Sequence, residues 1–289
     1  MKSVAILGAG RLGTSLAYAL SQRGFCIEAL SSRSQSSAEE SRQRIGQGIP
    51  TTDNVFAASK GEVIFLTVPD DRIADIVKEL ADSPLSWEDK VVFHCSGLLT
   101  SAILNPLRSK GAHTGSAHPC NSFPIKQSEP SLFEGIFFAI EGDSLAESAA
   151  ISLVKKIGSF YFKIRPKNKA RYHIACSMAS NMSVVLFYTA QSLLGQCGIA
   201  EEEAKKILWP LLEGTLHNVN KIDIFDALTG PISRGDVTTI QKHLAELKKF
   251  PKARQIYIEL AKQALEMAKQ GDKIPDETVS AVEALLEHE

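Results

Sequence analysis

The chain has 289 residues, 44% of them hydrophobic and 22% charged, with a formal net charge of −1. Its length suggests two domains rather than one core, and the near-neutral charge argues against a dedicated nucleic-acid binder. No apolar run approaches the roughly 18 residues of a membrane helix. The apolar stretch of "MKSVAILGAG" is too short for a signal peptide and runs into glycines. Five cysteines (26, 95, 120, 176 and 197) form an odd set without a CxxC pair. They read as reduced thiols of a cytoplasmic protein, not as a disulfide framework or a zinc site.

The first expected strand, Val4–Gly8, breaks into Gly8-Ala9-Gly10 and resumes as a helix over Leu12–Arg23. Further strands are expected at Cys26–Ser31, Val63–Val68, Val91–Cys95, Gly115–His118, Ile136–Glu141 and Phe160–Ile164, with a helix at Asp71–Ala81. Strands alternating with helices imply a mostly parallel sheet covered on both faces. Beyond Arg165-Pro166 almost nothing reads as strand. "PKNKARYHIACSMASNMSVVLFYTAQSLLGQCG" opens on a proline suited to a first helical turn and closes on Gly195 and Gly198. As one helix it would run roughly 45 Å at about 1.5 Å per residue. Helical patterns follow around Glu201–Val219, Asp236–Leu247, Ala253–Lys269 and Asp276–Leu286. The expected organisation is α/β: a sheet domain over 1–165, then an all-helical domain over 166–289.

Gly8-x-Gly10-x-x-Gly13 lies between a strand and a helix, the context in which this spacing marks a dinucleotide-binding Rossmann domain. The first glycine permits the tight turn, the second lets a pyrophosphate approach the backbone, and the third lets helix and strand pack closely. The helix start, with Arg11 and Leu12, would offer N–H groups and a positive dipole end to the phosphates. The second strand ends in Ser31, Ser32, Arg33 and Ser34, with no acid for the ribose hydroxyls of NAD. Glu28 falls three residues earlier, roughly 10 Å back at about 3.3 Å per residue. Ser32 and Arg33 therefore favour NADP(H). Thr67-Val68-Pro69 and Ser96-Gly97 end two further strands at the same edge, where ligands bind in open α/β folds. We expect the first three to contact cofactor and Ser96 to contact substrate.

These residues, with "GSAHPCNSFP" (115–124), "KARYHIACSMASNM" (169–182) and "ALTGPISRGD" (227–236), resemble one family over nearly the whole chain. It is the group of Rossmann-like proteins with a C-terminal helical domain of formerly unknown function. The group is similar to the 6-phosphogluconate, 3-hydroxyisobutyrate and ketopantoate reducing enzymes. The resemblance implies an NADP-dependent oxidoreductase, dimeric through its helical domain, acting on a small molecule such as ketopantoate.

Hydride transfer to a carbonyl needs a proton donor near the nicotinamide. Lys169 and His173, spaced i, i+4, share a helix face, which is expected to meet the nicotinamide across an interdomain cleft. At about 100° per residue Ser180 joins that face, and Asn181, a further substrate-contact candidate, is turned roughly a third of a revolution away. Related hydroxyacid dehydrogenases carry asparagine four residues after the lysine, where this chain has His173. Either residue can be written as donor with the other orienting it. His118-Pro119 resembles a His-Pro in the substrate region of prephenate dehydrogenases, which makes His118 a substrate-contact candidate. His94 and His113 nearby lack metal-ligand spacing, so no metal is expected. Arg234 could fork onto a carboxylate or phosphate, or brace its loop against Asp236. An imine reductase, a deazaflavin-linked reductase and a non-catalytic NADP sensor are the competing readings.

Overall fold

The structure is a computed structural model that describes residues 3–126 and 128–287. The chain divides into two compact units, the first running through Asn181 and the second from Met182. The first holds β1 (Ser3–Leu7), α1 (Arg11–Gln22), β2 (Cys26–Ser31), α2 (Gln35–Ile45), β3 (Ile49–Thr51), α3 (Asn54–Lys60), β4 (Val63–Leu66) and α4 (Asp70–Asp82). It continues with β5 (Val91–His94), α5 (Asn105–Arg108), β6 (His113–Pro119), β7 (Phe137–Gly142), α6 (Ser144–Lys156), β8 (Phe160–Lys163) and α7 (Lys169–Ser177).

The eight strands form one sheet in the order β3-β2-β1-β4-β5-β6-β7-β8. All pairs are parallel except β6 with β7, so the mostly parallel sheet expected from the sequence is present. Its central strands are apolar throughout because both faces are covered. Val4, Ile6, Val63, Phe65, Val91 and Phe93 join one core with α1 and α6. The alternating Ala5, Leu7, Ile64, Leu66 and Val92 join the other, with α3 and α4. The period of two thus feeds two cores from single strands. On α4, Ile73, Ile76, Val77 and Leu80 repeat at helical spacing and fill the second core.

Five elements of this unit exceed the sequence expectation: α2, β3, α3, α5 and α6. Ser34, Ser36 and Ser37 lie at the start of α2, where the Ser34 hydroxyl accepts from Ser37 N–H. Asp53 caps α3 in the same way, accepting from Phe56 N–H at 2.8 Å.

The second unit holds α8 (Ser183–Gln196), α9 (Glu201–Lys221), α10 (Ile224–Ala227), α11 (Val237–Leu247), α12 (Pro251–Gln270) and α13 (Asp276–Glu287). Ile240, Leu244, Ile258, Leu265, Val279 and Val282 build a core among α11, α12 and α13. α8 packs with α9, where Phe187 and Trp209 meet edge to face at 6.4 Å. No residue of α8 is buried, and only Ala204 of α9 is. Val184 and Leu211 are each 69% exposed. No helix among the described residues is long and apolar enough to cross a membrane.

The stretch 166–181, which by sequence should open the helical domain, groups instead with the sheet unit. Lys169 explains why: its ammonium is bonded to Ser96 O after β5 and to the Ser116 hydroxyl of β6. The stretch is not one uniform α-helix either, since Met178–Met182 form a π turn between α7 and α8.

Candidate functional site

The glycine loop follows β1 at the carboxyl edge of the sheet, and its three glycines are held differently. Gly8 has φ +103°, and a Cβ there would stand 2.5 Å from Val68 Cγ1 and 2.9 Å from Thr67 backbone. At Gly13 a Cβ would run into Gly8 O and Thr67 Oγ1 and come within 3.0 Å of Ile6 Cγ2. Gly10 is different, for the nearest atom to its Cβ position, Gly8 O, is 3.9 Å away. Packing therefore demands Gly8 and Gly13, while space beside Gly10 is open to a ligand. No side chain caps α1, and its first turn carries no acid. The N–H groups around Arg11, Leu12 and Gly13 form the positive end of that helix, where general helix physics favours an anion. This observation fits a dinucleotide.

The neighbouring strands brace the loop. Gly8 and Ala9 N–H donate to Ser31 O at 3.0 and 2.7 Å. Thr67 Oγ1 donates to Gly8 O at 2.9 Å, and Val68 packs beneath that glycine. Thr67 by its bonds and Val68 by packing, both expected as cofactor contacts, hold the loop's shape, and Pro69 precedes the first turn of α4. Beyond Ser31, Ser32 N–H donates to Thr51 O at 3.0 Å, and Arg33 stands exposed.

The second half of the site gathers on β5, β6, β7 and α7. Register places Ser116 of β6 opposite Glu141 of β7. Lys169, in the first turn of α7, reaches down between them. Its Nζ donates to Ser96 O at 3.1 Å and to Ser116 Oγ, with Glu141 Oε1 at 3.9 Å. Glu141 also accepts from Ser101 N–H and Oγ, each at 2.6 Å. Burial pushes the Lys169 ammonium down to about 8, opposed chiefly by Glu141. Lys169 is only 1% exposed. It anchors α7 beneath the site surface.

Ser96, expected to contact substrate, is also committed. Its hydroxyl donates to Asp70 Oδ2 at 2.7 Å and accepts from Leu98 and Leu99 N–H at 3.1 and 2.9 Å. These bonds shape the turn that presents Gly97. Two imidazoles close on that glycine: a Cβ on Gly97 would lie 2.7 Å from His173 Cδ2 and 2.9 Å from His118 Nε2. The rings stand 6.2 Å apart at 83°. His118 Nδ1 pairs with the Tyr172 hydroxyl at 2.7 Å. Burial first, then Lys169 and His173, pushes the His118 imidazole down to about 4, so it is neutral at pH 7. His94 is fully buried and pushed to about 3, again mainly by burial, and its Nδ1 accepts from Ser96 N–H at 3.2 Å.

Lys169, His173, His118 and Ser96 are therefore brought together within the first unit. Gly97, which the sequence sets beside Ser96 at this edge, joins them, as do Asp70, Ser116, Glu141 and Tyr172, which the sequence does not single out as site residues. An acid inside the apolar run "FFAIEG" is the available signal for Glu141. The expectation that Ser180 shares the face of Lys169 and His173 is corrected, because the π turn from Met178 changes the angular step. Ser180 and Asn181 lie exposed in that turn. Arg234 belongs to the second unit and is exposed, while Asp236 caps α11, accepting from Thr239 N–H and Oγ1 at 3.1 and 2.7 Å.

A family model described as a Rossmann-like domain matches residues 1–119. Another, described as a domain of unknown function, DUF2520, matches residues 136–264. No curated protein is similar enough in sequence to count as a relative. Among solved structures, a Bacteroides fragilis protein provisionally described as an NADP oxidoreductase aligns at TM-score 0.77 and 22% identity, over 92% of this chain and 98% of its own. A protein from Thermotoga maritima aligns at TM-score 0.71 and 26% identity, over 93% and 99%. A reductive aminase from Aspergillus terreus, in complex with NADPH and ethyl levulinate, aligns at TM-score 0.70 and 14% identity, over 99% of each chain.

Proposed function

We propose that this chain, a Rossmann-like domain joined to a DUF2520 domain, is an NADP(H)-dependent oxidoreductase that reduces the carbonyl of a small 2-oxo acid. One observation carries the reading. The open-sided glycine loop after β1 and the His118–His173 pair over Gly97 lie at the carboxyl edge of one sheet, where this fold class binds ligands. Bound NADPH would supply the hydride.

The chain's own residues would supply the rest. Hydride addition to a ketone leaves an alkoxide, which His173, at the edge of Gly97, would protonate. His118, neutral and bonded to Tyr172, orients that edge of the site. Lys169 is the positioning residue: it fixes Ser96 and α7 from below and adds a buried positive charge that favours the developing anion. A positioned acid is needed for a carbonyl more than for an already protonated imine, which favours the 2-oxo acid reading. The resemblance to ketopantoate-reducing enzymes makes ketopantoate the first compound to test. The test is NADPH oxidation by the purified chain against a panel of 2-oxo acids and cyclic imines. NADPH binding with no turnover on any of them would overturn the proposal in favour of a sensor.

Arg33, exposed after β2 with no acid at that strand end, is assigned to the 2′-phosphate of NADPH. Arg33→Ala should weaken NADPH by about tenfold or more, the scale of one charge-assisted contact, and leave NADH nearly unchanged. Isothermal titration with both nucleotides checks this, and equal affinities in the unmutated chain would refute it.

The same reading includes a homodimer through the helical region, in a cytoplasmic setting that suits five free thiols. The exposed faces of α8 and α9 exceed what a lone unit normally leaves in water. α8 also walls an apolar groove of about 670 Å³ with Phe250, Pro251 and Ile256. Light scattering should give twice the chain mass at micromolar concentration, and a monomer there would refute the dimer.

A further inference from the structure

Two thiols meet beside the imidazole pair. Cys120 follows the last residue of β6, where its N–H donates to Phe137 O at 2.8 Å. Cys176 lies on α7, four residues after Tyr172. Their sulfurs are 3.5 Å apart, with Cys120 exposed and Cys176 half-buried. Cys120 in turn lies two residues after His118, whose Nδ1 pairs with the Tyr172 hydroxyl at 2.7 Å. The thiol pair thus joins the end of β6 to α7, the same two elements that the His118–Tyr172 bond of the candidate site links.

We propose that Cys120 and Cys176 are a hydroperoxide-sensitive pair that closes to a reversible intrachain disulfide and so resets the Tyr172–His118 hydrogen bond. A disulfide has an S–S bond of about 2.0 Å, so the sulfurs need to approach by roughly 1.5 Å. Cys120, the exposed partner, is the attacking thiol. As thiolate it attacks one peroxide oxygen, the O–O bond breaks, and Cys120 becomes a sulfenic acid while the other oxygen leaves as alcohol or water with the thiol proton. The Cys176 sulfur then attacks the Cys120 sulfur, the S–O bond breaks, and the released hydroxide takes the Cys176 proton as water. Two electrons pass from the two thiols to one peroxide. A small dithiol reverses the change by exchange through a mixed disulfide. Closing the bond draws the end of β6 toward α7 and so shifts Tyr172 against His118. The proposal goes beyond the reductase reading and does not depend on it.

The test uses the whole purified chain, hydrogen peroxide and no nucleotide. After alkylation and digestion, mass spectrometry should find the peptides of Cys120 and Cys176 joined, with two thiols lost and both recovered by dithiothreitol. Cys26→Ser should keep the link, and Cys120→Ser should abolish it. The His118 imidazole NMR signal, assigned by its loss in His118→Gln, should move on oxidation and return on reduction in the unmutated chain and in Cys26→Ser, but not in Cys120→Ser. A link between chains, a link through Cys26, Cys95 or Cys197, or thiols that stay unpaired would overturn the proposal. So would a 120–176 disulfide that leaves the His118 signal in place.

Discussion

Gly13→Ala should destabilise the sheet unit by about 1–3 kcal/mol, the cost of forcing a methyl into a packed site, while Gly10→Ala should leave stability nearly unchanged. The difference follows from what each methyl would meet. At Gly13 it collides with Gly8 O and Thr67 Oγ1, a backbone oxygen and a hydroxyl already bonded to that oxygen, so neither can swing away cheaply. At Gly10, its chain neighbours Ala9 and Arg11 aside, the nearest atom is Gly8 O at 3.9 Å. The space at Gly10 is on the ligand side, and there the order of effects reverses. Gly10→Ala should weaken NADPH by tenfold or more, because the pyrophosphate needs the bare backbone. Thermal unfolding and nucleotide titration of the two variants separate the cases, with an expected fall of roughly 2–4 °C per kcal/mol for a unit of this size. Equal destabilisation by both would show that Gly10 is a packing glycine and remove the main support for a nucleotide at this loop.

This loop is legible in the sequence because its logic is local: strand, three glycines and helix follow one another directly. The buried parallel strands are legible for a similar reason, since Val4–Leu7, Val63–Leu66 and Val91–Phe93 are apolar at every position. What escapes lacks such contrast. β3 is three residues with a proline at its centre, and α2 buries only Ala38, Ser41 and Ile45 in an otherwise polar helix. The lysine network escapes for a different reason. Glu141 meets Lys169 only because β7 runs antiparallel to β6 and sets Ser116 opposite Glu141, a register that no local pattern encodes. The spacing of Lys169 and His173 correctly puts both on α7, but spacing says nothing of depth. One is buried and the other edges Gly97.

That difference in depth gives the largest expected effect on turnover. His173→Ala should lower it by roughly 10²–10⁴-fold, the range of a positioned acid, with NADPH affinity and thermal stability little changed. Lys169→Met should behave otherwise, because the ammonium is sealed from solvent and its partners are protein atoms. Removing it leaves Ser96 O and Ser116 Oγ without their donor and Glu141 without its nearest cation. Breaking a buried pair costs about 3–5 kcal/mol. The low end applies here, since Glu141 keeps both bonds from Ser101 and the charges are 3.9 Å apart. Lys169→Met should therefore lose stability first, and lose activity in proportion to displacement of Gly97 and α7. The outcome that reverses these roles is specific. A Lys169→Met chain as stable as the parent but without turnover, beside a His173→Ala chain that still turns over, would make the lysine the proton donor. It would also require the site to open by enough to bring a side chain now 1% exposed to the substrate.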